Sequence, residues 1–168
     1  MTRMRLFEKS TPDTIKTGDM IAWDYYPYSG FSNRLIKTIA SMTKAPFGHV
    51  GVAWRLQGEL FVVEATIPRI QVMWLGGHRN YCYLPMNIDP PPVAIEFLKS
   101  KVGLEYSLMD AARSYLGKVV EDDDRYQCAE FTSEFYQTAG LELDTDGSLN
   151  ALIESCLQHN GRKIFRVV

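Results

Sequence analysis

The stretch Gly48-His49-Val50-Gly51-Val52-Ala53-Trp54-Arg55-Leu56-Gln57-Gly58-Glu59-Leu60-Phe61-Val62-Val63-Glu64-Ala65 decides the fold. Two runs rich in Val flank Leu56-Gln57-Gly58-Glu59. Short β-prone runs around a glycine-bearing turn read as a hairpin. The spacing predicts strands over His49 to Trp54 and Leu60 to Ala65. If Leu56 sits opposite Glu59, paired positions sum to 115. His49 then faces Thr66, and Glu64 is its diagonal neighbour. A sum of 113 would put His49 directly opposite Glu64. Either odd sum keeps both side chains on one face, because strand side chains alternate with period two. A slip of one residue would separate them. Glu64, or the neutral Thr66, is therefore a candidate to orient the imidazole. Glycines within a strand, here beside His49 and two residues after it, often mark a close approach of another segment. The bland alternative is a hydrogen-bonded strand-end histidine and a carboxylate closing its strand.

Outward from the hairpin, Met20 to Trp23, Ile70 to Leu75 and Tyr81 to Leu84 read as further strands. Apolar residues at helical spacing predict a helix over Phe31 to Met42. After Pro90-Pro91-Pro92 the pattern turns helical: Val93 to Lys101, Ser107 to Leu116, Tyr126 to Ala139 and Ser148 to Leu157. Ile164 to Val168 reads as a last strand. A strand-rich first half and a helix-rich second half is α+β order rather than βαβ alternation. The chain has 168 residues, which suits one domain spanning 1–168.

Composition narrows the function. A formal net charge of -2, with no Lys- and Arg-rich run, removes the electrostatic case for nucleic acid. No apolar stretch is long enough to span a bilayer. Met1-Thr2-Arg3-Met4-Arg5 carries positive charge without an apolar run after it, so it does not read as a secretory signal. The expected location is the cytoplasm, with export by a partner system or a phage or virion setting left open. Three cysteines, Cys82, Cys128 and Cys156, form no C-x-x-C pair and are too few for a disulfide scaffold. The acidic run Glu121-Asp122-Asp123-Asp124 has no spaced ligand pattern beside it and reads as a solvated loop. No metal or cofactor is expected.

One cysteine stands apart. Asp124 followed by Gln127 resembles a capping box, which would place Cys128 in the first turn of a helix. Backbone N–H groups there favour a thiolate and can bind an oxyanion. Cys128, Phe131, Thr132, Phe135 and Ala139 share one helical face, so the thiol points into the protein. A buried cysteine acting as a small hydrophobe is the competing reading. Cys82 and Cys156 read as packing residues. His78 reads as a loop residue, and His159 as a cation at a helix end. A nucleophile, a base and an orienting group are thus available as Cys128, His49 and Glu64.

Four segments in order extend this: Gly18-Asp19-Met20-Ile21, Gly48-His49-Val50-Gly51-Val52, Val62-Val63-Glu64-Ala65 and Tyr126-Gln127-Cys128-Ala129-Glu130-Phe131. Together they resemble the permuted papain-like cysteine hydrolases, the YiiX-like branch of the NlpC superfamily of cell-wall peptidases. In that branch the histidine precedes the cysteine. The resemblance covers roughly residues 17 to 140. It implies a papain-like α+β domain, with a central antiparallel sheet packed by helices. Cys128 would be the nucleophile, His49 the base and Glu64 the third polar member. Tyr106, in Gly103-Leu104-Glu105-Tyr106-Ser107, matches a Gly-x-x-Tyr-Asp element, with Ser107 where Asp is usual. Gln127 or Tyr126 would help an oxyanion hole. Trp23, with Tyr25, Tyr26 and Tyr28, would line the cleft. The implied activity is an amidase or peptidase working through an acyl-cysteine, on peptidoglycan stem peptides or another amide. The alternatives are a lipid acyltransferase or phospholipase, as in the similar lecithin retinol acyltransferase-like family, and a binding or structural module that keeps the fold.

Overall fold

The computed structural model describes residues 7–23, 47–77, 80–107 and 125–167. The helix expected over Phe31 to Met42, residues 108–116 of the one expected from Ser107, and His78, Tyr25, Tyr26, Tyr28 and Asp124 lie outside them. Seven strands form one sheet: β1 (Glu8–Ser10), β2 (Met20–Trp23), β3 (His49–Leu56), β4 (Glu59–Ala65), β5 (Ile70–Trp74), β6 (Tyr81–Leu84) and β7 (Phe165–Val167). Their order is β1-β7-β6-β2-β3-β4-β5. Every pairing is antiparallel except β1 with β7. The described helices of more than one turn are α1 (Pro92–Lys101), α2 (Cys128–Thr138) and α3 (Leu149–His159). This is the α+β architecture that the order of the sequence patterns implies. The strand β1 carries Glu8 and Lys9 on an exposed edge and has no apolar alternation to announce it.

The β3–β4 hairpin closes through two residues, Gln57 and Gly58, with φ of 53° and 86°. Positive φ at both positions is the type I′ conformation, whose twist matches that of paired strands. The turn fixes Leu56 opposite Glu59, and Val52 opposite Val63. The register therefore has the sum of 115. Continued, it sets Gly51 opposite Glu64 and His49 opposite Thr66.

Apolar side chains fill both faces of the sheet. One face carries Met20, Ala22, Val50, Val52, Val63, Ala65, Cys82 and Leu84, packed with Phe131, Phe135 and Tyr136 of α2 and with Leu152, Ile153 and Cys156 of α3. The other holds Ile21, Trp23, Ala53, Val62, Tyr81 and Tyr83. α2 lies against β3 and β4 and contacts α1 and α3, so the helix is held on three sides. No helix among the described residues is long and apolar enough to cross a membrane.

A Cβ at Gly58 would meet nothing within 4 Å, so a substitution there reports backbone conformation alone. Gly58→Val is expected to lower stability by about 1–2 kcal/mol, and Gln57→Asn to raise it by a few tenths, in urea unfolding monitored by circular dichroism.

Candidate active site

His49 is the first residue of β3, paired with Trp23 of β2. The two rings lie 5.3 Å apart at 32°. Both residues are buried, at 4% and 6% exposure, so the indole shields the imidazole from water. Trp23 was expected to line a cleft; the structure packs it against the histidine. Glu64, near the end of β4, is fully buried, and its Oε2 lies 2.8 Å from His49 Nε2. The contact is diagonal across the ladder. It runs past Gly51, where a Cβ would stand 3.0 Å from Glu64 Cβ and 2.7 Å from Val62 Cγ2. The glycine in this strand is thus the gap that lets carboxylate and imidazole meet. Of the two candidates to orient His49, Glu64 holds it. Thr66 is buried, and its hydroxyl has no hydrogen-bond partner.

Cys128 begins α2 and is 5% exposed. It lies close enough to His49 for its thiol to raise the imidazole's pKa as a side-chain partner. The structure therefore joins Cys128, His49 and Glu64 in one buried relay, assembled from a helix start and two adjacent strands. Burial works against a charged imidazole, but the hydrogen bonds to Cys128 and Glu64 and the charges on both outweigh it. The pKa of His49 rises from 6.5 to about 9.

The helix start differs in detail from the expectation. The N-cap is Gln127 itself, and the capping box is Gln127 with Glu130 rather than Asp124 with Gln127. Gln127 Oε1 accepts from the Ala129 N–H at 2.8 Å, and its Nε2 donates to the Gly147 carbonyl at 3.1 Å. The side chain expected to assist an oxyanion hole is thus committed to capping. The Cys128 backbone N–H, by contrast, has no acceptor among the described residues. A backbone N–H in the first turn of a helix has no acceptor within its own helix. Tyr126 points its hydroxyl to the Lys101 ammonium, which also lies 4.7 Å from the Tyr126 ring centre. Burial raises the phenol's pKa, with the Glu134 carboxylate adding to it.

Tyr106 is tied to the helix approach through its backbone. It forms a parallel bridge with Tyr126. Ser107 N donates to Tyr126 O at 3.0 Å, and Tyr126 N to Glu105 O at 3.1 Å. On its other side the same segment bonds the start of β5: Ile70 N donates to Leu104 O, and Gly103 N to Ile70 O. The segment 103–107 therefore ties the edge of the sheet to Tyr126, two residues before Cys128.

One residue escapes sequence reasoning. Gln71 is paired with Glu64 across β4 and β5, and its Nε2 donates to Glu64 Oε1 at 2.9 Å. The only signal for it is the alternation Ile70-Gln71-Val72, which needs the β4–β5 register before it means anything. The remaining thiols, Cys82 and Cys156, are free and buried. Burial pushes the Cys156 thiol far above its ordinary value. His159, the last residue of α3, lies 3.0 Å through Nε2 from the Met86 carbonyl and stays outside the site.

A solved structure, that of the metalloprotein YiiX from Escherichia coli O157:H7, has this same architecture. It matches with a TM-score of 0.55, over 90% of this chain and 88% of that one, at 17% sequence identity. The likeness shows a YiiX-like fold. No family model matches the sequence, and no curated protein matches it.

The raised pKa of His49 sets a sign. A group whose pKa is higher folded than unfolded stabilises fully below its unfolded value, here 6.5, and loses that contribution as pH rises through about 9. Nuclear magnetic resonance should find His49 titrating near 9, and lower by a unit or more in Glu64→Gln. The variant should be less stable than the wild type by on the order of 2 kcal/mol at pH 6, with the gap closing by pH 9.5.

Proposed function

We propose that this protein is a cysteine hydrolase that cleaves an amide bond through an acyl-cysteine intermediate. The observation that carries this is the buried relay of Cys128, His49 and Glu64 at a helix N-terminus. A cysteine packed only as a hydrophobe would not need an imidazole whose second nitrogen is held by a buried carboxylate.

In the proposed reaction the Cys128 thiolate attacks the carbonyl carbon. A carbon–sulfur bond forms, and the carbonyl electron pair moves to oxygen, facing the Cys128 backbone N–H. The tetrahedral adduct collapses, the carbon–nitrogen bond breaks, and the His49 imidazolium gives its proton to the departing amine. Neutral His49 then takes a proton from water, which attacks the thioester. Collapse releases the carboxylic acid and returns the thiolate–imidazolium pair. A histidine that stays protonated at neutral pH suits an amide, because an amine leaves only once it is protonated. This favours amide substrates over the acyl-lipid alternative, and peptidoglycan stem peptides are the amide class the family resemblance suggests.

YiiX is described as a metalloprotein. Here His49 stands between Cys128 and Glu64, so these donors do not converge on one point. Among the described residues no group of three His, Cys, Asp or Glu is placed to hold a metal ion. The donor set does not fit a metal site.

Site-resolved alkylation by iodoacetamide tests the proposal. At pH 6.5 an ordinary thiol is about 1% thiolate, so Cys128 should react about tenfold or more faster than free cysteine. Cys82 and Cys156 should stay unmodified in the folded chain. His49→Ala should abolish the advantage. A Cys128 that reacts no faster than free cysteine, or is indifferent to His49→Ala, rules the mechanism out.

A further inference from the structure

The buried carboxylate of Glu64 uses its two oxygens in different directions. Oε2 meets His49 Nε2 at 2.8 Å, and Oε1 accepts from Gln71 Nε2 at 2.9 Å. Gln71 belongs to the edge strand β5, directly across from Glu64. Its side chain is part-buried, so the amide closes the outer end of a relay whose inner end is the thiol. We propose that Gln71 is a positioning residue of the hydrolase: it keeps Glu64 ionised and fixes the plane of its carboxylate, so that Oε2 faces the imidazole. This rests on the hydrolase reading of the site and adds a fourth member to it.

The physical reason is the cost of a buried anion. A carboxylate with no exposure to water is stabilised only by the donors that reach it. With both oxygens bonded, Glu64 remains charged to lower pH than with one. Once it is protonated, it no longer supports the imidazolium, and the thiolate–imidazolium pair gives way to the neutral pair. Losing the amide would also free the carboxylate to rotate about its last bond. Both effects push the acid limit of the reactive state upward. Among the described residues, the titratable neighbours of Glu64 include His49 from β3 and, through the ring, Cys128 from α2. β2 contributes the Trp23 indole, and β5 the neutral amide of Gln71.

A glutamine serving only to fill the strand would act differently. Replacing it with a side chain of similar shape would leave every titration in place. Gln71→Met keeps the length and removes the donor. Gln71→Lys replaces a neutral donor with a charged one, and the part-buried position leaves a path for the ammonium to reach water.

The test is the titration of the Glu64 side-chain carboxyl carbon by nuclear magnetic resonance, in the intact chain and in the two variants. Gln71→Met should raise the Glu64 midpoint by about one pH unit, the scale of one lost donor to a buried carboxylate. Gln71→Lys should lower it. The acid limb of Cys128 alkylation by iodoacetamide should move with it, so that Gln71→Met reacts several-fold more slowly near that limb. Coincident Glu64 titrations in wild type and Gln71→Met overturn the proposal. So does a midpoint that Gln71→Met and Gln71→Lys move in the same direction. The carboxyl titration does not need a reactive thiol. If Cys128 alkylates like free cysteine while the Glu64 midpoint still moves as stated, the hydrolase mechanism falls and the role of Gln71 toward Glu64 stands.

Discussion

A two-residue turn in which both residues take positive φ allows one pairing of the strands that flank it. In this protein the turn is Gln57-Gly58, and the pairing it imposes runs unbroken from Leu56–Glu59 to Val52–Val63. Because strand side chains alternate, that pairing decides which residues share a face with His49. It sets Gly51, with no side chain, opposite Glu64. The carboxylate can then lean along the strand to the imidazole two positions away. A slip by one residue would turn Glu64 to the opposite face and leave a buried carboxylate among Val50, Val52 and Ala65. The turn lies at the far end of β3 from His49, yet the site depends on it.

Cys128 reaches the same place by a separate route. Cys128 is held by the cap of its own helix: Gln127 bonds the first turn, and its amide reaches the Gly147 carbonyl. The residue before the cap, Tyr126, is stitched to Glu105 and Ser107, and that segment is stitched to Ile70 at the start of β5. β5 also carries Gln71. The strand that steadies Glu64 and the segment that steadies the approach to Cys128 therefore share one anchor. Thiol and carboxylate sit on opposite sides of the imidazole, and the edge of the sheet fixes both.

Much of this was legible in the sequence, for identifiable reasons. The hairpin has strong local signals, and the pairing of His49 with Glu64 on one face follows from parity alone. Cys128 at a helix start was legible because Gln127 and the apolar spacing of Phe131, Thr132 and Phe135 bracket it. The cap itself was misplaced by one box, because Asp124/Gln127 fits the usual pattern, whereas the structure caps with Gln127, a residue type the pattern does not look for. Gln127 as an oxyanion donor failed for the same reason: an N-cap side chain is already occupied. Trp23 was expected at a cleft wall, but its pairing with His49 makes it a cover for the ring. Gln71 and the 103–107 bridge were invisible, since each depends on contacts between segments that no local pattern encodes.

The cost of the His49–Glu64 pair bears on what it is for. Taking a carboxylate wholly out of water carries a penalty of several kcal/mol, and ion pairing in the interior often does no more than offset it. Apolar side chains of similar volume commonly fill such space with equal or greater stability. The surroundings here are apolar already: Trp23, Ala53 and Val62 lie on the same face, and a pair of aliphatic residues at 49 and 64 would extend that core. Packing therefore gives no reason for an imidazole and a carboxylate at these positions. The pair does have an electrostatic consequence that aliphatic residues could not supply. Together with Cys128, at the start of a helix, the carboxylate raises the pKa of His49 to about 9 against the burial that lowers it. An interaction that apolar packing could match in stability, yet that raises the pKa of a group beside a thiol, is in keeping with the hydrolase proposed above.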